Sequence, residues 1–175
     1  MTTRTRLLTL CSSFLLTACQ ASLPPLETVE YVDLEQFMGD WYVIANIPTF
    51  VEKGAHNAIE SYRLDEDGTI ATRFTFNKGS FDGTEKEYQP RGFIRNTETN
   101  AEWGMQFVWP FKGDYRIIYV SEDYSTTIIG RNKRDYVWLM ARSPELSDES
   151  YAEAVSLIAA AGYDTTQLQR VPQRW

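Results

Sequence analysis

Cysteine is very scarce in this sequence. Only Cys11 and Cys19 occur among 175 residues, and both lie in an N-terminal stretch with the features of a targeting segment. Once Cys11 is removed and Cys19 is modified, as argued below, no thiol is left for a disulfide, a CxxC redox pair, a thiolate metal site or a nucleophile. The stability of the folded chain must therefore come from a hydrophobic core.

Histidine and clustered positive charge are also nearly absent. His56 is the only histidine, so a cluster of histidine metal ligands is excluded, and a solitary loop histidine is typical of a solvated surface. The 17 basic residues are outnumbered by 24 acidic ones and form no basic cluster. This balance argues against a nucleic-acid partner and against electrostatic adhesion to anionic lipid. We expect neither a metal nor a cofactor.

The N-terminus has the pattern of an export signal. Arg4 and Arg6 precede an apolar run that is too short to span a bilayer, which predicts a signal peptide over residues 1–18. The run ends in "LLTAC", which resembles a bacterial lipobox, where the chain is cut before Cys19 and this cysteine is acylated. The alternatives are an ordinary signal peptide cut nearby, or an apolar N-terminal helix that the mature chain retains.

Lipidation would place the protein at a membrane. Gln20 follows the cysteine where an aspartate would favour the inner membrane, so bacterial sorting rules imply the outer membrane, with the domain facing the periplasm. Several acyl chains on Cys19 give stable anchoring. We expect residues 19–33 to form a lipidated N-terminus and linker, and residues 34–175 to form one domain. Removal of two arginines leaves 15 basic residues against 24 acidic ones, a net charge of −9.

The rest of the sequence predicts eight short strands and one helix. The strands are rich in β-branched and aromatic residues and are separated by turns such as "DEDGT". Pro90 and Gly92 in the fourth strand predict a bulge or a sharp bend. Ser147 as a cap and Gly162 as a stop predict a helix at about residues 147–161, before an extended tail. The strand segments are DWYVIANIP, AIESYRL, TIATRFTFN, YQPRGFIRN, AEWGMQFVW, DYRIIYVS, STTIIGRN and DYVWLMARS.

Eight consecutive strands without a long crossover predict an antiparallel up-and-down β-barrel over about residues 39–143, with the helix packed outside. The interior of such a barrel holds side chains or one small ligand. The alternative is a β-sandwich, whose Greek-key connections usually require a longer link.

Three motifs in order resemble the signatures of the lipocalins. They are Gly39-Asp40-Trp41 before the first strand, "SEDYSTTIIG" at Ser121–Gly130, and "WLMARSPEL" at Trp138–Leu146. The resemblance extends from about Val32 to the C-terminus, and the sequence looks most similar to the bacterial outer-membrane lipocalin lipoproteins, which are relatives of apolipoprotein D. The resemblance implies that Trp41 lies across the closed end of the barrel beside Gly39, with Arg142 packed over it. These three residues would be structural.

The resemblance also implies a ligand in the barrel, either a fatty acid or a lysophospholipid, with a role in membrane maintenance under stress. Alternation along the strands predicts which side chains line it, and in the first and last strands this alternation is anchored on inward-facing Trp41 and Arg142. Each of them is alternatively plain barrel core. The predicted cavity residues are Val43, Ala45, Ile47, Phe74, Phe76, Met105, Phe107, Trp109, Tyr115, Ile117, Tyr119, Trp138 and Met140.

A polar headgroup would lie near the open mouth. Tyr115 and Tyr119, with Tyr62 or Glu60, are candidates to bind it, although the pattern does not decide which face of the second strand points inward. The loop Pro48–Asn57 is a candidate lid.

Two other functions compete with carriage. An enzyme needs a titratable pair in a cleft, but spacing pairs none of Glu60, Glu102 and Asp123, and the pocket cysteine on which isomerase activity in lipocalins can depend is absent. The remaining alternative is a membrane-tethered interaction protein with a filled barrel.

Overall fold

The computed structural model describes residues 23–175. The expected signal peptide and the expected lipid on Cys19 lie outside the described residues.

One antiparallel sheet closes on itself through pairing of β1 with both β2 and β9. The predicted eight-stranded barrel is confirmed, because β4 and β5 are two pieces of one strand and β10 is a short addition beside β1. The strands are β1 (Gly39–Ile47), β2 (Ala55–Leu64), β3 (Thr69–Lys78), β4 (Glu85–Tyr88), β5 (Arg91–Ile94), β6 (Glu102–Val108), β7 (Phe111–Val120), β8 (Thr126–Gly130), β9 (Val137–Ala141) and β10 (Gln169–Arg170).

The fourth barrel strand is interrupted at Pro90, as the sequence predicts, whereas Gly92 lies within the regular ladder of β5. Both β4 and β5 pair with β3, and Pro90 lies in the gap between them. Gly92 faces Ile70 across the ladder, where an added Cβ would lie 3.1 Å from the Ile70 Cβ and 3.5 Å from the Trp103 ring. Glycine therefore leaves room for a large ring inside the barrel.

Of the two α-helices among residues 23–175, one packs outside the barrel wall and the other lies at its closed end. The predicted C-terminal helix is α2 (Asp148–Ala160), which the Ser147 side chain caps at the Ser150 amide. A short helix, α1 (Leu34–Phe37), is capped by Asp33; four residues are too few for sequence periodicity to reveal it. A 3₁₀ turn at Thr165–Gln167 follows α2. None of the helices between residues 23 and 175 is long and apolar enough to cross a membrane.

The barrel wall separates two hydrophobic cores. The inner core fills the closed half of the barrel with rings such as Trp41, Phe37 and Trp103. The outer core lies between the wall and α2, where Ile158 packs among residues of β1, β8 and β9. The side that a residue faces on each strand therefore decides whether it reaches the interior or the helix.

A tryptophan and an arginine close one end of the barrel. Trp41 is fully buried, and its Nε1 donates to the Phe37 carbonyl at 2.9 Å. The guanidinium carbon of Arg142 lies 3.8 Å from the centroid of the Trp41 ring. A cation over an indole face contributes roughly 0.5–2 kcal/mol. We call this end the floor.

Arg142 also binds the chain that enters β1. Its Nη1 donates to the Asp40 carbonyl at 2.7 Å, and its Nη2 donates to the carbonyls of Gln36 at 2.7 Å and Met38 at 2.8 Å. These carbonyls include those at the end of α1, where helix geometry leaves acceptors without partners. Gly39 adopts a φ of +94°, and a Cβ there would lie 3.4 Å from Arg142 Nη1, so glycine fits this position best.

We predict that Trp41→Ala lowers the free energy of unfolding by roughly 3–5 kcal/mol, because it removes a large ring from a closed core. Urea denaturation followed by circular dichroism measures this loss. Trp175→Ala is the matched control, since Trp175 is 65% exposed. An unfolding midpoint that is the same for Trp41→Ala and wild type would contradict the role of the floor.

Candidate functional site: the cavity at the open end

A cavity of about 300 Å³ opens at the end of the barrel opposite the floor. The barrel is therefore not filled by its own side chains. Five strands supply the inner wall, and the loops at the open end supply the mouth. The lining residues are Thr49, Val51, Glu52, Glu60, Phe74, Met105, Phe107, Val108, Phe111, Gly113, Asp114, Tyr115, Arg131 and Trp138.

Three stacked rings run from the floor toward the mouth. The centroids of Trp103 and Tyr115 are 5.3 Å apart, with 10° between the ring planes. Tyr115 and Trp138 are 6.5 Å apart, with 22° between their planes. Flat rings have few rotatable bonds, so Tyr115 and Trp138, which line the cavity, form a rigid part of its wall, with Trp103 stacked below them.

Polar groups gather at the inner end of the cavity. Glu60 is buried there, and its Oε2 accepts a hydrogen bond from the Tyr62 hydroxyl. The hydroxyls of Tyr62 and Tyr115 also share a hydrogen bond. The centroid of the Tyr62 ring lies 5.7 Å from the centroid of the Phe37 ring. This network therefore separates the cavity from the floor.

Burial controls the protonation of Glu60. Desolvation raises the pKa of Glu60 to about 7; the hydrogen bond from Tyr62 lowers it, and the charge of Glu52 raises it further. Desolvation and the charge of Glu60 also raise the pKa values of Tyr62 and Tyr115 well above the usual value for tyrosine. Below pH 7 Glu60 itself is therefore mainly protonated.

A buried glutamate holds the loop at residues 48–54 against the barrel. Glu52 Oε1 accepts from Trp138 Nε1 at 2.7 Å, and its Oε2 accepts from the Thr49 amide at 2.8 Å. The loop is shorter than the sequence suggests, because β2 begins at Ala55. His56 consequently lies in β2, where its ring packs edge-on against Phe81 at 5.0 Å.

The structure brings many of the predicted cavity residues into the barrel. Those that line the cavity are Phe74, Met105, Phe107, Tyr115 and Trp138. Others lie in the inner core without lining the cavity: Val43, Phe76, Ile117 and Met140.

Ala45 and Ile47 face the opposite side of the wall. Both lie in the outer core with α2. The pairing of β1 with β9 shifts register between Val43 and Ala45, and an extra residue at such a bulge exchanges the faces of all later side chains. The inward prediction for Ala45 and Ile47 is therefore wrong.

A register shift also turns Tyr119 to the outer side of the barrel wall. The pairing of β7 with β8 shifts between Ile117 and Tyr119, and Tyr119 packs against the outer core. It is thus neither inside the barrel nor at the mouth. The inward prediction is wrong here as well.

Trp109 lies outside the cavity. It is 82% exposed at the turn between β6 and β7, whereas strand alternation predicts it inside. The register of the β6–β7 pairing shifts between Met105 and Val108, so alternation no longer predicts which way a side chain points beyond Met105. Phe107, 56% exposed, lines the entrance.

Sequence reasoning missed most of the mouth. Val108, Phe111, Gly113, Asp114 and Arg131 lie on loops or strand ends, where no periodicity indicates facing. One signal was present: "FVWPF" places large apolar residues in a hairpin turn, where polar residues are usual.

Within residues 23–175, no three His, Cys, Asp or Glu side chains converge to hold a metal ion.

We predict that the free energy of unfolding falls by about 3 kcal/mol between pH 4.5 and pH 7. The native state keeps a proton on Glu60 up to about pH 7, whereas the unfolded chain loses it near its ordinary pKa, so the native state binds more protons in this window. Glu60→Gln removes this slope.

Urea titrations at several pH values between 4.5 and 8 measure the slope. Glu98→Gln, at an exposed position, is the matched control and should keep it. Equal slopes in wild type and Glu60→Gln would contradict the burial of an ionisable carboxyl at this place.

A family model described as a lipocalin-like domain matches residues 32–173. The outer membrane lipoprotein Blc of Escherichia coli (strain K12) is 28% identical over 93% of this chain and 92% of its own. Apolipoprotein D of Mus musculus is 29% identical over 86% of this chain and 80% of its own. Insecticyanin from the tobacco hornworm Manduca sexta shares the fold, with a TM-score of 0.66 at 15% identity, over 85% of this chain and 84% of its own.

These comparisons confirm the resemblance to bacterial outer-membrane lipoproteins and to apolipoprotein D that the three motifs indicate. The matched region contains the whole barrel, the floor and α2. This chain belongs to the lipocalin family.

Proposed function

We propose that this protein is a lipid-anchored carrier or store of single-chain lipids at the bacterial outer membrane. Its ligand would be a fatty acid or a lysophospholipid, held with the tail in the cavity and the headgroup at the mouth. The role would be to maintain the membrane under stress by removing or supplying such lipids.

The open apolar cavity is the observation that carries this proposal. It ends at the polar network of Glu60, Tyr62 and Tyr115 above the floor, and its deep wall includes Phe74, Met105, Tyr115 and Trp138. Each methylene that enters such a wall contributes roughly 0.8 kcal/mol, so a dozen contribute on the order of 10 kcal/mol. The entropic cost of binding reduces this gain but leaves enough for micromolar affinity.

The relatives support the location and the absence of catalysis. The similar protein from Escherichia coli is named an outer membrane lipoprotein, and this chain has a lipobox-like sequence ending at Cys19. Members of the lipocalin family are in general binding proteins rather than enzymes. A carrier therefore fits both the anchor and the barrel better than an enzyme does.

The polarity of the cavity favours entry of the tail first. Protonated Glu60 tolerates hydrocarbon at the inner end, whereas a second negative charge there would be repelled by Glu52 and by ionised Glu60. At the mouth, Arg131 lines the cavity. Its Nη1 lies 3.4 Å from Asp135, and its Nε is buried without a hydrogen-bond partner among the described residues. A carboxylate or phosphate headgroup at the mouth would pair with the positive charge of this guanidinium.

We predict that Met105→Trp weakens the binding of a fluorescent fatty acid at least tenfold, because the larger ring fills the cavity. Met105→Leu conserves volume and is the matched control. Fluorescence titration measures both, and thermal melting verifies that each variant folds. Wild-type affinity in a folded Met105→Trp variant would exclude the cavity as the binding site.

We predict that Arg131→Gln weakens the binding of a long-chain fatty acid about tenfold, the effect of losing a charge-assisted hydrogen bond. The fatty alcohol of the same length carries no charge, so Arg131→Gln and wild type should bind it with equal affinity. Lys133→Gln, an exposed position in the same loop, serves as the control variant. A loss of equal size for acid and alcohol would show that Arg131 does not bind the headgroup.

A further inference from the structure

Exposed apolar side chains surround the mouth of the barrel. Phe50 is 85% exposed in the loop at residues 48–54, and Phe111 is 76% exposed beside Trp109 on the β6–β7 hairpin. Of the eleven large apolar side chains that residues 23–175 expose, six lie here. We call this surface the apolar rim: Phe50, Val51, Phe107, Val108, Trp109 and Phe111.

The apolar rim is one surface, because both of its segments border the same cavity. Val51 lines the mouth from one side, and Phe107, Val108 and Phe111 line it from the other. Contiguous apolar patches of this kind on a soluble domain mark contact with another apolar body.

The first described residues run from the mouth to the floor. Pro24 accepts a hydrogen bond from Arg134 Nη1 at 2.9 Å, and the Leu26 amide donates to Asn132 Oδ1 at 2.7 Å. Arg134 and Asn132 belong to the β8–β9 hairpin at the mouth. At the other end of the segment, the Asp33 amide donates to the Tyr124 hydroxyl beside the floor at 2.8 Å.

This path fixes the side of the barrel from which an anchor on Cys19 extends. Cys19 precedes Pro24 by five residues, which span at most about 17 Å. The chain itself uses the nine residues from Pro24 to Asp33 to travel from the mouth to the floor. A tether of five residues is too short for that distance, so an anchored Cys19 stays on the mouth side.

The composition of the apolar rim fits the interface of a bilayer. Tryptophan and other aromatic rings favour the region between headgroups and acyl chains. The six rim side chains are uncharged, whereas Lys53 and Lys112 lie exposed beside them. The net charge of −9 after processing disfavours attraction of the whole domain to anionic lipid, so the contact rests mainly on the apolar side chains.

We propose that the apolar rim inserts into the membrane leaflet that holds the Cys19 anchor, so that the mouth of the barrel faces the bilayer. This inference rests on the lipid anchor of the proposed function. A lipid chain then passes from the bilayer into the cavity without crossing water.

Tryptophan quenching in vesicles tests this orientation. The acylated full chain, purified from bacterial outer membranes, is reconstituted into phosphatidylcholine vesicles whose acyl chains are brominated near the ester end. Bromine should quench part of the tryptophan emission. Trp109→Phe keeps the rim apolar and should remove at least half of the quenched signal. The matched control is Trp175→Phe, which changes an exposed tryptophan elsewhere on the surface and should leave the signal unchanged.

Each contrary result has a distinct meaning. If the mass of the purified chain lacks the acyl chains on Cys19, the anchor of the proposed function is wrong, whatever the quenching shows. If the acylated chain fails to float with the vesicles, both the anchoring and the docking proposal are overturned. The docking proposal is overturned if the chain floats but bromine quenches as much tryptophan emission in Trp109→Phe as in wild type. It is also overturned if Trp175→Phe removes the quenched emission. Neither result contradicts the anchor. A Cys19→Ser chain that sediments as a dimer, and that Trp109→Ser converts to a monomer, would assign the rim to a second copy and also overturn the docking proposal.

Discussion

The contact between the Arg142 guanidinium and the Trp41 indole determines where the barrel ends and where its cavity begins. The same guanidinium binds the carbonyls that enter β1, so one side chain both covers the floor ring and fixes the first strand. With that end closed and dry, the remaining space has a single entrance. The position of the cavity, the inner polar network and the mouth all follow from this closure.

Sequence reasoning could predict the barrel and its floor, but only part of the cavity wall. Alternation places Val43, Ile117 and Met140 correctly in the inner core, because Val43 and Ile117 precede the register shifts in their strands. It fails after Val43 and after Ile117, where register shifts exchange the faces. A bulge depends on how two strands pair, and the sequence of one strand does not contain that information. The mouth is formed largely by loops, and a loop sequence has no periodicity from which the direction of its side chains can be predicted.

The cavity has ionisable groups at both ends and aromatic rings between them. Its inner end holds Glu60, whose pKa is raised to about 7, its middle is aromatic, and its mouth holds Arg131 beneath the apolar rim. A hydrocarbon tail that excludes water from Glu60 favours the protonated form still further. Occupancy by a tail and protonation of Glu60 should therefore support each other.

Native mass spectrometry of the full chain purified from a bacterial outer membrane tests the central claim most directly. The account predicts a population whose mass exceeds that of the acylated chain by one fatty acid or one lysophospholipid, and which loses that mass when the barrel unfolds. A preparation that carries only the acylated chain, and that stays bare after incubation with both lipid classes, would contradict the claim that the barrel holds a hydrocarbon chain.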